Sequence, residues 1–163
     1  MRKMLRLRQF SQLNTIMDRI DGKILRELEA NGRISNTDLA DRVGLSASAC
    51  LRRVQELERS GVIQGYRAVL DRAAMGRSFV AYLAVGLNAH TKAAQEAFEV
   101  AVEGMEEVLE CHNITGTVEY LLRIEVVDLA AYKAFHTDKL GTLSQVNALT
   151  TYVVMGSPKD ARG

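Results

Sequence analysis

Residues 43–66 read VGLSASACLRRVQELERSGVIQGY, with two adjacent arginines, Arg52 and Arg53, near the middle. Ser46 suits an N-cap and Ser60-Gly61 a stop, so the spacing predicts a helix over 46–60. At ~100° per residue, Cys50, Val54 and Leu57 fall within about 60° of one another and form a core-facing stripe. Arg52 lies roughly opposite, with Ser48 and Arg59 beside it, while Arg53 flanks the stripe. Such a face can be merely solvated, its arginines paired with Glu56 at i+3 or i+4. The preceding residues decide. Ser35 with Asp38 opens a shorter helix carrying Leu39 and Val43, Gly44 ends it, and Leu45-Ser46 is the hinge. Two helices across so short a turn make a helix-turn-helix. Its second helix enters the major groove, where short polar side chains fit and arginine bonds guanine bidentately. Backbone N–H groups at a helix start also suit phosphate.

Upstream, Thr15 with Asp18 fits a capping box, Ile16, Ile20, Ile24 and Leu28 recur at a helical interval, and Asn31-Gly32 is a stop. Residues 15–62 are therefore read as one DNA-binding domain. VIQGYRAVLDRAAMG, from Val62 to Gly76, is apolar and β-prone, a strand and connector spanning 63–76.

Residues 77–156 change period. FVAYLAVGL (79–87) reads as a strand and 91–104 as a helix. Residues 108–115 and 120–127 read as two strands, Asp128 caps a second helix, and VNALTTYVVM (146–155) closes as a strand. The order β-α-β-β-α-β is the split, ferredoxin-like arrangement. The fold class is thus α+β, a winged-type helix-turn-helix followed by a ferredoxin-like domain. Such a sheet carries helices on one face, and an apolar stripe of Val80, Tyr82 and Ala84 on the other predicts a homodimer through the sheets.

Composition agrees with two modules. In the 163-residue chain, residues 1–72 hold 14 Lys/Arg against 9 Asp/Glu, and residues 73–163 hold 7 against 11. A basic half joined to an acidic half implies different partners. No apolar run approaches ~18 residues, which excludes a membrane-spanning helix. The opening MRKMLRLRQF lacks the apolar core of a secretion signal. Its Arg2, Lys3, Arg6 and Arg8 suit either an arm along phosphates or a structureless leader. Two cysteines, Cys50 and Cys111, are too few for a disulfide framework, so the expected location is the cytoplasm.

MDRIDGKILRELEANGRISNTDLADRVGLSASACLRRVQELERSGVIQGYRAVLD closely resembles the DNA-binding half of the Lrp/AsnC, or feast/famine, transcription regulators. ECHNITGTVEYLLRIEVVDLAAY and TYVVM resemble their second half, the RAM domain, and the likeness runs from about Met17 to Met155. The resemblance implies a regulator that binds double-stranded DNA as a homodimer assembling into a tetramer or octamer. It also implies a RAM domain that senses an amino acid or similar small effector. DNA contact is expected at Ser46, Ser48, Arg52 and Arg53, with Arg33 and Asn36 as phosphate partners.

In ITGTVEYLL, a glycine turn lets backbone amides approach an anion and Glu119 can accept an ammonium, which suits an amino acid. A plain β-turn with exposed polar residues is the alternative. The resemblance favours effector response at Gly116, Glu119 and Tyr120, with Thr117 where an acidic residue is frequent in the family. It extends the effector set to Asn113, Leu129, Tyr152 and Val154. Cys111 and His112 are neighbours on a strand and point to opposite faces, so they form no dyad. The three histidines lack metal-site spacing, no cofactor is implied, and no catalytic constellation stands out. The expected function is an effector-responsive, sequence-specific transcription regulator. The alternatives are a ligand-independent, nucleoid-type DNA binder and, from another class, a small-molecule enzyme on the ferredoxin-like module.

Overall fold

A computed structural model describes residues 17–160. The chain divides between Ala68 and Val69 into two compact units, each built on its own core. The first contains α1 (Arg19–Ala30), α2 (Asn36–Val43) and α3 (Ala47–Arg59). α1 starts at a capping box: the Asp18 carboxylate accepts from the Ile20 and Asp21 amides, and Asp21 accepts from the Asp18 N–H. Thr15, the expected cap, lies outside the described residues. Ser35 caps α2 and Ser46 caps α3, each accepting from the amide three residues on.

α2 ends at Gly44, whose φ of 75° is a conformation that a Cβ disfavours. The Leu45 N–H then returns to the Ala40 carbonyl at 2.9 Å, closing the helix end and turning the chain into α3. Ile24, Leu39, Ala40, Val43, Cys50 and Leu57 form the core. All but Ala40 are apolar positions that the helical spacing predicts, and burial pushes the Cys50 thiol pKa up.

The segment after α3 differs from expectation. Residues 62–78 form no strand, although Val62, Tyr66, Val69 and Leu70 are β-prone and exposed. A strand needs a neighbour for its backbone groups, and among the described residues this segment joins no ladder. Tyr66 instead donates to Glu58 Oε1 at 2.9 Å.

The second unit contains β1 (Phe79–Leu87), α4 (Lys92–Glu103), β2 (Val108–Asn113), β3 (Tyr120–Val126), α5 (Leu129–Ala134) and β4 (Val146–Val153). Its sheet is antiparallel in the order β2-β3-β1-β4, the ferredoxin-like arrangement. Thr91 caps α4 and Asp128 caps α5. After α5 the chain widens into a π turn at Phe135–Lys139 and tightens into a 3-10 turn before β4.

Alternation along the strands sorts the two faces. Ala81, Leu83 and Val85 of β1, with Leu122 and Ile124 of β3, are fully buried beside Phe98, Phe135 and Leu140. On the opposite face, Val80, Tyr82 and Ala84 pair in register with Glu125, Arg123 and Leu121. That face is therefore not apolar throughout. Arg123 Nη2 lies 2.5 Å from Glu125 Oε1 in its middle, and Tyr152, opposite Tyr82, is exposed. No helix among the described residues is long and apolar enough to cross a membrane.

Candidate nucleic-acid interface and effector turn

The first site is built on the start of α3. Ser46 is committed to capping, accepting from the Ala49 N–H at 3.3 Å, and its hydroxyl lies 3.3 Å from that of Ser48. Both serines and Arg52 are exposed on the free face of the helix. Among the described residues Arg52 makes no ion pair, whereas Arg42 is paired with Glu27, and Arg59 with Glu56. Arg33 is exposed on the α1–α2 turn, where its N–H donates to Asn31 Oδ1.

Two more of the expected DNA contacts, Asn36 and Arg53, are held by partners on other helices. The Asn36 amide group donates to the Ala47 carbonyl at 2.8 Å, fastening the first residue of α2 to the first of α3. Arg53 Nη1 donates to Asp18 Oδ2 at 2.8 Å and Asp21 Oδ1 at 2.7 Å. One guanidinium thus ties α3 to the capping box of α1. The Asp21 amide first, then Arg53, hold the Asp18 carboxyl below its usual pKa. The hydrogen bonds to Asp21 and Asp18 raise that of Arg53. Flanking the buried stripe, Arg53 turns toward α1 and Arg52 toward solvent.

The second site is the turn between β2 and β3. Gly116 has φ 147° with open space where a Cβ would stand, and Thr117 beside it is exposed. Glu119 is engaged within the chain. Its Oε2 accepts the Leu87 N–H at 2.7 Å and its Oε1 lies 2.7 Å from His90 Nδ1. The Leu87 N–H and then His90 hold the Glu119 carboxyl below its usual range. Tyr120 belongs to the core. Its ring packs against Phe98 at a centroid distance of 4.7 Å and its hydroxyl donates to Glu99 Oε1 at 3.0 Å. Burial above all pushes its phenol up to about 12.

One chain does not bring the expected effector residues together. Asn113 pairs with Tyr120 at the turn end of the sheet, while exposed Leu129 follows the far end of β3. The Val154 N–H bonds the Val80 carbonyl, and Val80 pairs with Glu125, also toward that far end. The seven residues of β3 separate the two groups, a span of about 20 Å. Sequence reasoning missed His90, the Leu87 amide, Glu99 and the acidic pair Asp18/Asp21. Only the last left a local signal, two aspartates at capping-box spacing.

Residues 17–64 match the family model described as winged helix-turn-helix DNA-binding, and residues 80–163 match the Lrp/AsnC ligand binding domain. The leucine-responsive regulatory protein of Escherichia coli K12 is 43% identical over 145 residues, covering 89% of this chain and 88% of that protein. The Klebsiella pneumoniae protein of that name matches to the same extent. A Neisseria meningitidis transcriptional regulator solved with L-methionine superposes with a TM-score of 0.85 at 35% identity, covering 88% of this chain and 93% of that one. An Agrobacterium tumefaciens AsnC family regulator gives 0.84 at 33%, covering 88% and 94%. A helix-turn-helix fixed by its own caps, a ferredoxin-like sheet and these likenesses over nearly nine-tenths of the chain place it in the Lrp/AsnC family of transcriptional regulators.

Proposed function

We propose that this chain is a cytoplasmic, sequence-specific DNA-binding regulator, not an enzyme, whose hold on DNA changes when an amino acid or related metabolite binds its second unit. The observation that carries the reading is the presentation of α3. The Gly44 turn and the Asn36–Ala47 hydrogen bond fix the helix, and Ser48 and Arg52 remain on its free face. In this reading Arg52 and Ser48 meet bases, while Ser46 and Arg33 lie along phosphates. Asn36 and Arg53 act through the helix, as positioning residues.

The effector reading rests on the Gly116 turn and on the likeness to a regulator solved with L-methionine. Glu119 exchanges its internal partners for the ligand's ammonium group, and residues of the far sheet end come from a neighbouring subunit. Homodimerisation through the sheet face supplies that neighbour, and further assembly changes the spacing of the DNA-binding units. Occupancy and DNA affinity are then linked reciprocally.

The test is Arg52→Ala on an operator selected from random sequence. A loss of about 1–3 kcal/mol confined to the selected site marks a base contact. A uniform loss across sequences marks a phosphate contact, and no loss removes Arg52 from the interface.

A further inference from the structure

After α3 the chain turns back over its own unit. The Ile63 N–H donates to the Leu57 carbonyl at 3.0 Å, satisfying a carbonyl of the last helical turn, and Ile63 packs against the three-helix core. Tyr66, although 52% exposed, is then fixed at two points. Its hydroxyl donates to Glu58 Oε1 at 2.9 Å. Its ring lies against the α1–α2 turn, with Cδ1 3.6 Å from where a Gly32 Cβ would stand.

That contact brings two arginines to one part of the surface, because Arg33 follows Gly32 and Arg67 follows Tyr66. Both are exposed. Among the described residues neither guanidinium makes an ion pair or a hydrogen bond, whereas Arg42, Arg53 and Arg59 are all paired with carboxylates. An exposed arginine with no carboxylate of its own is a ready phosphate ligand, since its fork of N–H donors matches phosphate oxygens.

We infer that Arg67 is a DNA phosphate contact beside Arg33, and that Tyr66 is the residue that positions it. This contact rests on the DNA-binding reading of the unit and lies outside its three helices. On a free connector such a contact costs the ordering of backbone as well as side chain. With Tyr66 already held by Glu58 and the α1–α2 turn, the backbone next to Arg67 is ordered beforehand, and binding orders mainly the guanidinium arm.

The test titrates the full chain into two duplexes, an operator selected from random sequence and a scrambled duplex of equal length, between about 50 and about 200 mM salt. Arg67→Ala should weaken both by the same factor and reduce the salt slope by about 1. Its deficit therefore shrinks about three- to fourfold across that range. Its melting temperature should stay that of the wild type, because the side chain has no internal partner to lose. Tyr66→Phe keeps the ring on the turn and removes the bond to Glu58. It should weaken binding in the wild-type background and change nothing in Arg67→Ala, a coupling that a merely structural tyrosine would not show. An unchanged slope in Arg67→Ala, with wild-type binding intact and Arg52→Ala impaired, overturns the Arg67 contact and leaves the DNA-binding reading standing. A loss confined to the selected operator overturns the phosphate role, and equal effects of Tyr66→Phe in both backgrounds overturn the positioning role. A wild-type chain that binds neither duplex overturns this contact and the DNA-binding reading together.

Discussion

Arg53→Ala separates the two roles an arginine can take on a recognition helix. In the structure its Nη1 bridges Asp18 and Asp21, with side-chain exposures of 31% for Arg53 and 13% for Asp21. A hydrogen bond to a charged group is worth about 1.5–3 kcal/mol when well buried, whereas exposed ion pairs give about 0–1 kcal/mol. The Arg53–Asp21 contact lies between these limits, so the substitution should cost about 1–2 kcal/mol. In a domain of this size that corresponds to a fall of roughly 5–10 °C in melting temperature. Far-UV circular dichroism of the full chain reads the stability loss. DNA titrations at several salt concentrations read the contact, because each lost phosphate interaction reduces the salt slope by about 1. The expected outcome is a lower melting temperature with the slope unchanged. An unchanged melting temperature with a slope reduced by about 1 would refute the clamp and return Arg53 to the DNA backbone.

Gly44→Ala places a Cβ on a residue at φ 75° with no atom within 4 Å of it, so its cost is conformational, about 1–2 kcal/mol. Chemical denaturation should show that loss, and an unaltered midpoint would mean the turn relaxes freely. The pH dependence follows from Glu119, whose folded pKa lies below its ordinary 4.5. The stability it contributes is complete above that value and is lost as pH falls through the folded pKa. Glu119→Gln should therefore flatten the acid limb of the melting-temperature profile below about pH 4.5, and parallel wild-type and variant limbs would exclude the Leu87 brace.

The helix-turn-helix was readable because its determinants are local. Caps at Ser35 and Ser46, a glycine stop at Gly44 and apolar residues at helical spacing all act within one or two turns of chain. The fate of Arg53 was not readable. Its partners Asp18 and Asp21 stand 35 and 32 residues away, and helical geometry alone placed it only at the edge of the buried stripe. The strand expected within residues 63–76 failed for a related reason: propensity marks residues able to join a ladder, but pairing decides whether they do. In the second unit, alternation identified the strands and their core face. It gave no sign that Arg123 and Glu125 would pair on the other face, or that Tyr120 would serve the core.

The span of β3 between Tyr120 and Val126 bears on what a sensor of this design measures. In the proposed effector reading, recognition groups at both ends of the strand leave each protomer with two half-pockets and no whole one, and only association completes them. Occupancy then depends on the product of ligand and protein abundance, so dilution alone empties the pocket at fixed metabolite level. A cell could tune the threshold of such a switch by changing how much of the protein it makes, with no change to the pocket itself.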